Sequence, residues 1–273
     1  MGGRGAYGVA WRAKRKAAKQ AAAAQQKPQQ APTPPQARQQ QPQPAPQPQP
    51  QVSAAADYDS IDWDNMQFPE LTQREYDDIY SQNRDRYSGN VKMAKKMYEA
   101  EADANNTGKS YSQNMNHELN AGLPLSADSK FMKKYLTQAM HPIGKSCTIT
   151  RAAHDTLLNQ MMEQAGLRGG YTNYTPSQIK AALVGGEFTM KSFGSFSTSA
   201  GANPFAPLGS RELIIKARTA PTTNVVSGAK HQHEVVTGVG QRARVTDVVF
   251  TNQWAYPKNG GRKRVVELYI DLW

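Results

Sequence analysis

The sequence Lys230-His231-Gln232-His233-Glu234-Val235-Val236 lies near the C-terminal end of the chain. Its carboxylate stands immediately before two β-branched residues, and the residues from Pro221 to Gln232 contain no Asp or Glu. Because β-branched residues favour strands, the pattern predicts a strand that begins at Glu234. Taken alone, a carboxylate in such a place is usually an ordinary surface residue. Its meaning depends on what the rest of the chain brings beside it.

Two other stretches place polar side chains where a predicted strand ends. Ser197-Thr198-Ser199 closes one strand and opens into a loop that contains Phe205. Arg151 ends the strand predicted for Cys147-Thr148-Ile149-Thr150-Arg151, just before a helix. Each feature is weak alone, since hydroxyl-rich tripeptides are common in turns and arginines are usually surface charges. An arginine, a hydroxyl-rich strand end and a carboxylate in this order make a far more specific pattern.

Charge divides the 273-residue chain into two parts. The formal net charge is +11, but residues 1–56 hold eight Lys or Arg and no acid. They account for +8 and leave only +3 for residues 57–273. The high pI is therefore mainly a property of the N-terminal part, and charge alone does not predict that the folded part binds nucleic acid. An acidic partner or a nucleic acid is the expected contact of the basic tail.

The composition of the first 56 residues predicts a disordered tail and linker. Residues 1–27 are basic and rich in Ala, with little apolar surface to bury. Residues 28–51 are dominated by Pro and Gln, as in Gln41-Pro42-Gln43-Pro44. Because proline fixes φ and removes hydrogen-bond donors, this stretch is typical of an extended spacer. We expect a helical lead-in over residues 57–87 and a globular domain over residues 88–273.

Several classes of protein are excluded. A single Cys, Cys147, rules out an intramolecular disulfide framework. The chain has no apolar run long enough for a membrane span and no secretory signal, so a cytoplasmic, delivered or virion-associated protein is expected. His231 and His233 would share one face of a strand, but no second carboxylate follows at a useful spacing. We therefore predict no metal site.

The order of the predicted elements indicates an α+β fold, because helices dominate the first half and strands the second. A capping-box pattern at Thr72 and Glu75 starts the first helix. This helix has Thr72 as its N-cap, and Leu71, Tyr76, Ile79 and Tyr80 share one face. Further helices are predicted over Val91–Ala104, Ser110–Leu119, from Ser126, over His154–Ala165 and Thr175–Val184. After Cys147–Arg151, further strands are predicted over Phe188–Phe196, Glu212–Ala217, Glu234–Val236, Ala243–Thr251 and Arg264–Leu272.

With these motifs in order, the chain resembles the mono-ADP-ribosyltransferases of the arginine, Ser-Thr-Ser, Gln/Glu-x-Glu class. Clostridial exoenzymes that modify Rho or actin typify this class. The resemblance covers about residues 88–273 and rests on Arg151, Ser197-Thr198-Ser199 and Gln232-His233-Glu234. It implies a split antiparallel β core with an N-terminal helical subregion, preceded here by the disordered tail. It also implies that the chain uses NAD as a substrate and modifies a protein acceptor.

The resemblance implies a role for each site residue. Glu234 would accept a hydrogen bond from the ribose and stabilise an oxocarbenium-like cation, and Ser197 would orient that carboxylate. Arg151 would hold the pyrophosphate, and the backbone of Ala152 would meet the nicotinamide amide. The remaining cofactor-binding residues would be Thr198, Ser199 and Phe205, the last by stacking on nicotinamide. Gln232 would face the acceptor, and a carboxamide there favours Asn or another neutral side chain over Arg.

The chain departs from the family pattern in two places. Ala152 stands where a Gly usually follows the arginine, and the loop from Pro221 to His231 lacks the aromatic residue with which relatives often meet their protein substrate. Two alternatives stay open: an NAD glycohydrolase, and a catalytically silent interaction module. Some phage head-associated proteins of this family begin with a similar Met-Gly-Gly-Arg-Gly, which makes a virion-associated role possible. A monomer without membrane contact is expected in each case.

Overall fold

The computed structural model describes residues 57–84, 87–100, 108–199, 211–256 and 261–273, with only the backbone of residues 82–84. The predicted tail over residues 1–56 and the loop that contains Phe205 lie outside these ranges. Two short 3-10 turns, Tyr58–Ser60 and Trp63–Asn65, precede the first helix. The helices are α1 (Gln73–Arg84), α2 (Gly89–Glu99), α3 (Tyr111–Ala121), α4 (Ala127–Ala139), α5 (Thr156–Gln164) and α6 (Pro176–Leu183).

The strands of the described residues form one nine-stranded sheet, in the order β1-β6-β7-β4-β2-β5-β9-β8-β3. The pairing of β5 with β9 is parallel and the other pairings are antiparallel. The α+β class predicted from the sequence is therefore confirmed. The strands are β1 (His141–Pro142), β2 (Cys147–Ala153), β3 (Glu187–Thr189), β4 (Gly194–Ser197), β5 (Leu213–Thr219), β6 (Asn224–Ser227), β7 (Glu234–Thr237), β8 (Arg242–Ala255) and β9 (Lys263–Leu272).

The helix starts follow the capping signals of the sequence. The amide of Thr72 donates to Glu75 Oε2 at 2.8 Å, and the amide of Glu75 donates to Thr72 Oγ1 at 3.3 Å, so the predicted capping box is present. Ser126 caps α4 as predicted. The second predicted helix begins two residues early, at Gly89, and α2 ends at Glu99. Its predicted extension to Ala104 falls largely outside the described residues.

Strand boundaries were less accurately predicted. Phe188–Phe196 is not one strand but two, β3 and β4, separated by a turn over residues 190–193. β3 pairs with β8 at the edge of the sheet, whereas β4 pairs with β7 and β2 inside it. The short strands β1 and β6 were not predicted. β2 also runs two residues past Arg151, because Ala152 and Ala153 continue the ladder with Ile214 and Leu213.

The sheet is covered on both faces near β6 and β7, and neighbouring residues divide between two apolar cores. Val225 and Val235 pack in the core that includes Tyr76 of α1. Val226 and Val236 pack in the second core, with residues of α2, α3 and α4. Because successive side chains of a strand point to opposite faces, an unbroken Val-Val pair is the expected sequence for a strand buried on both sides. The second core holds α2 and α3 beside the strands of the site.

Candidate active site

The sheet order brings the separated motifs together. β7, β4 and β2 are neighbours, with Ser197 opposite Glu234 and Thr150 opposite Ser197. Glu234 is the first residue of β7, Ser197 the last of β4, and Arg151 the fifth of the seven residues in β2. All three line one cavity of about 810 Å³, together with Ala152 and Gln232. Motifs more than eighty residues apart in the chain thus form one wall.

The carboxylate of Glu234 is fixed from two sides. Ser195 Oγ donates to Glu234 Oε1, and the backbone amide of Ala229 donates to Oε2 at 2.7 Å. The residue is 7% exposed. The absence of a side chain at Gly228 leaves room for the carboxylate, because a Cβ atom at that position would lie 2.1 Å from Oε2. A carboxylate held by donors on both oxygens has a defined direction before any substrate arrives.

Ser197 does not make the contact predicted for it. Its hydroxyl lies 2.8 Å from the carbonyl oxygen of Gln232 and 2.7 Å from that of Ser199. It therefore stabilises the turn before β7, while Ser195 contacts the Glu234 carboxylate. Residues two apart on a strand share a face, so Ser195 lies on the same side of β4 as Ser197. The alternation of side chains along the strand could have indicated Ser195 as a contact of Glu234, but the Ser-Thr-Ser motif did not include it.

Thr198 and Ser199 lie beside the cavity rather than among its lining residues. Thr198 is fully buried, and its amide and hydroxyl lie 3.0 and 3.3 Å from the carbonyl oxygen of His233. Its own carbonyl accepts from the amide of Leu71 at 3.1 Å. Thr198 therefore joins β4 to the turn before β7 and to the start of α1. These contacts do not support the direct cofactor contact predicted for Thr198.

Arg151 lies in the cavity wall with its guanidinium 5.9 Å from the ring centroid of Phe196. Burial lowers the pKa of Arg151, while Tyr98 and the carboxylate of Glu234 oppose that effect. The arginine side chain is effectively always protonated in proteins, so Arg151 is a cation. The site therefore presents a partly desolvated cation on β2 near a fixed carboxylate on β7.

The turn before β7 is not a strand, contrary to the expectation that His231 and His233 would share a face. Lys230–Gln232 is a 3-10 turn, and His233 follows in the left-handed conformation with φ 46°. The His233 ring stacks on Tyr76 at 4.9 Å with an interplanar angle of 8°. The Tyr76 hydroxyl donates to the carbonyl oxygen of Glu234 at 3.1 Å. Among the described residues no group of His, Cys, Asp and Glu has the arrangement of a metal site.

Gln232 lines the cavity and is partly exposed. Its side-chain amide lies 3.2 Å from Nε2 of His231, and both residues are at least partly exposed. Glu99, at the end of α2, also lines the cavity. Partial burial raises the pKa of Glu99; Lys95, 3.9 Å away, lowers it, and the carboxylate of Glu234 raises it further. An incoming side chain would therefore meet one carboxamide and one additional carboxylate beside Glu234.

Residues of α2 and α3 and Arg211, which lies two residues before β5, complete the cavity, and the three motifs did not predict them. Arg211 lines it, and its charge lowers the pKa of Arg151, which places two guanidinium groups within electrostatic range. Asn116 of α3 also lines the cavity. Its Nδ2 donates to the carbonyl oxygen of Phe193 at 3.2 Å, and its Oδ1 accepts from the backbone amide of Phe193 at 3.1 Å. The helical position of Tyr111–Leu119 was predicted, but its polar residues gave no signal of their own.

None of the described helices is both long and apolar enough to cross a lipid bilayer. No protein-family model matches the sequence, and none of the curated proteins matches it.

Solved structures provide the informative comparison. The chain is similar to Plx2a, an ADP-ribosyltransferase toxin from Paenibacillus larvae, with a TM-score of 0.53 and 12% identity over 76% of this chain and 100% of that one. The C3 exoenzyme of Clostridium limosum gives a TM-score of 0.53 and 17% identity, over 76% and 98% of the two chains. C3stau2 from S. aureus, solved with NAD, gives a TM-score of 0.50 and 14% identity, over 76% of this chain and 99% of that one. The chain therefore has the fold of the ADP-ribosyltransferase exoenzymes, as its three motifs predicted.

Proposed function

We propose that this chain is an NAD-dependent mono-ADP-ribosyltransferase that moves ADP-ribose to a protein side chain and releases nicotinamide. The observation that carries the proposal is that Arg151 of β2 and the fixed Glu234 carboxylate of β7 line one cavity, with β4 between the two strands. The shared fold with exoenzymes that are ADP-ribosyltransferases supports it.

The residues present fit two parts of NAD, the pyrophosphate and the nicotinamide. Arg151 and Arg211 line the cavity and would hold the negatively charged pyrophosphate, for which the planar guanidinium is well suited. The backbone of Ala152, on the same wall, would meet the nicotinamide amide. Phe205 keeps its predicted stacking role as a proposal, since its loop lies outside the described residues.

Glu234 would act on the ribose that carries nicotinamide. The bond between the anomeric carbon and the nicotinamide nitrogen breaks, and its electron pair leaves with nicotinamide. The oxocarbenium-like ribose that forms is positive, so a carboxylate fixed beside it stabilises the transition state more than the ground state. The acceptor atom then bonds to the anomeric carbon and loses its proton. Ser195 and the amide of Ala229 would keep the carboxylate directed at the sugar.

The acceptor is proposed from Gln232. A carboxamide can both donate to and accept from an Asn-like side chain, whereas a Glu in its place would attract a guanidinium more strongly. We therefore propose Asn or another neutral side chain as the acceptor. The amide of Gln232 contacts His231, so the acceptor would exchange with that contact.

The test is incubation of the full chain with labelled NAD and a cell lysate, with separate measurement of protein labelling and nicotinamide release. Glu234→Gln is expected to abolish both signals. Glu187→Gln, which changes an exposed carboxylate on β3 paired with Arg242 at 3.0 Å, is the matched control and should retain both. Nicotinamide release without labelled protein would identify a glycohydrolase instead, and neither signal from the wild type would identify a silent interaction module.

Removal of residues 1–56 separates the tail from the chemistry. We expect the shortened chain to release nicotinamide at the wild-type rate and to differ only in the pattern of labelled proteins. A shortened chain that is folded but unable to release nicotinamide would contradict the proposed domain boundary.

A further inference from the structure

The hairpin of β8 and β9 carries exposed aromatic side chains that belong to none of the described apolar cores. Trp254 is 42% exposed and Tyr256 is 64% exposed. Both follow the irregularity in the ladder between Phe250 and Trp254, where β8 extends beyond the body of the sheet. Large aromatic residues left in solvent at one place indicate a surface that another molecule covers.

The register collects two arginines on the same face. Trp254 pairs with Arg264 and Ala255 with Lys263, and continuing the ladder by one pair places Tyr256 opposite Arg262. In an antiparallel pair, opposed residues share a face and residues two apart share it as well. Trp254, Tyr256, Arg262 and Arg264 therefore form one surface, which we call the hairpin face.

The opposite side of the hairpin is occupied by the domain itself. Ala255 is fully buried, and Lys263 Nζ lies 2.7 Å from Asp155 Oδ2 and 3.8 Å from Glu212 Oε1. These contacts hold the hairpin against the start of α5, next to His154 of the cavity wall. Lys263 is therefore paired with acids of the domain, whereas the aromatic side chains of the hairpin face are exposed to solvent.

The charge of the hairpin face is strongly positive. The guanidinium carbon of Arg262 lies 3.8 Å from the ring centroid of Trp254, in a cation–π arrangement. Arg264 donates to the carbonyl oxygen of Thr251 at 2.5 Å and to Asn252 Oδ1 at 3.2 Å. The sequence from Phe250 to Val266 contains no Asp or Glu. The stretch from Phe250 to Val266 therefore offers no acid that could neutralise either arginine.

We propose that the hairpin face binds a single-stranded nucleic acid. Unpaired bases stack on exposed aromatic rings, and arginines next to those rings pair with the phosphates between the bases. An acidic peptide would satisfy the arginines but would leave Trp254 and Tyr256 without a function. The modest net charge of residues 57–273 does not oppose the proposal, because the relevant charge is local. The proposal does not depend on NAD chemistry.

The test is fluorescence anisotropy of a fluorescein-labelled oligouridylate titrated with the full chain at several salt concentrations. All variants keep the basic tail, so its contribution is common to them. Trp254→Ala combined with Tyr256→Ala should weaken binding about 10-fold or more, since stacking contributes roughly 1–3 kcal/mol per base. Leu123→Ala, which shortens another apolar side chain that is 48% exposed, is the control and should bind as the wild type does.

Arg262→Gln provides a second, independent measurement. It should reduce the slope of log affinity against log salt by about 0.7, the value for one phosphate contact on a single strand. Lys130→Gln, which removes an exposed cation on α4, should leave the slope unchanged. If the double aromatic variant melts at a lower temperature than the wild type, the salt slope of Arg262→Gln tests the proposal instead.

Two results would overturn the proposal. One is equal affinity and equal salt slope for the wild type and all hairpin variants, which would assign any binding to the tail. The other is displacement of the oligouridylate by polyglutamate at the same charge concentration with no effect of the aromatic substitutions, which would identify an acidic protein partner.

Discussion

Ser195 on β4 contacts the carboxylate of Glu234 on β7, although Ser197 is the residue paired with Glu234 in the register. Ser195 is itself paired with Val236, so its hydroxyl reaches diagonally to the next position of the same face. Ser197 instead turns toward the carbonyl of Gln232. The two serines therefore have different roles: Ser195 orients the Glu234 carboxylate, and Ser197 stabilises the turn before β7.

Ser195→Ala is expected to lower kcat for nicotinamide release by about 10- to 100-fold with little change in the KM for NAD. A hydrogen bond to a charged group contributes roughly 1.5–3 kcal/mol, and here it would act on the transition state. Ser195→Thr keeps the hydroxyl and should recover most of the rate. Unchanged kcat in Ser195→Ala would show that the amide of Ala229 suffices to orient Glu234.

Gly228→Ala is expected to inactivate the chain while leaving it folded. The new methyl carbon would lie 2.1 Å from Glu234 Oε2, so the carboxylate must leave its position between Ser195 and Ala229. Gly89→Ala, where no atom lies within 4 Å of the added carbon, is the matched control. Nicotinamide release and the melting temperature should be measured together, because a rate equal to the wild type would mean that the carboxylate position is unimportant.

Arg151→Lys is expected to raise the KM for NAD about 10-fold or more. Lysine retains the charge but not the planar pair of donors that fits a pyrophosphate. Arg242→Lys changes an arginine that pairs with Glu187 and lies over Trp273, away from the cavity, and should leave KM unaltered. Similar KM values for wild type and Arg151→Lys would remove the proposed pyrophosphate contact.

Cys147 is expected to be unreactive in the folded protein. It is fully buried, and burial raises the pKa of its thiol to about 11. The thiolate is the reactive form, so almost none is present at pH 8. A thiol reagent such as dithiobisnitrobenzoate should report one thiol only after denaturant is added. Rapid reaction of the native protein would show that the thiol is accessible, contrary to its burial.

Arg218→Ala is expected to lower the free energy of unfolding by about 3 kcal/mol. The Asp271 carboxylate has no exposed surface and accepts from Arg218 Nε and Nη2 at 2.6 and 2.7 Å, so the substitution leaves a buried charge without its cation. Lys216→Ala breaks a more exposed pair with Glu267 and should cost less than about 1 kcal/mol. Denaturant unfolding monitored by circular dichroism separates the two, and equal losses would contradict the argument.

The sequence predicted those parts of the fold that local chemistry determines. Thr72 with Glu75 and Ser126 specify helix starts through hydrogen bonds within one turn, and these predictions are confirmed. The split between β3 and β4 was missed because the turn after Met190 is stabilised by distant backbone, with the Met190 amide donating to the carbonyl of Gln241. Such partners are not visible in a local pattern.

The same distinction applies to the site. The three motifs predicted which strands would meet, and the cavity contains Arg151, Ser197, Gln232 and Glu234. The contact of Ser195 with Glu234 depends on the diagonal between two strands, and the cradle at Gly228 depends on a turn whose shape includes a left-handed His233. Those relationships arise from tertiary register, which residue types alone do not encode.

The parallel strand β9 has a consequence for synthesis. It lies between β5 and β8, with Val266 beside Leu213. Because β9 is later in the sequence, the ribosome synthesises β5 well before this partner strand. Until β9 emerges, β2 and the arginine it carries belong to an unfinished sheet, and pairing across such a long interval is slow. A nascent chain that has not yet formed β9 is therefore expected to lack the proposed NAD-cleaving activity.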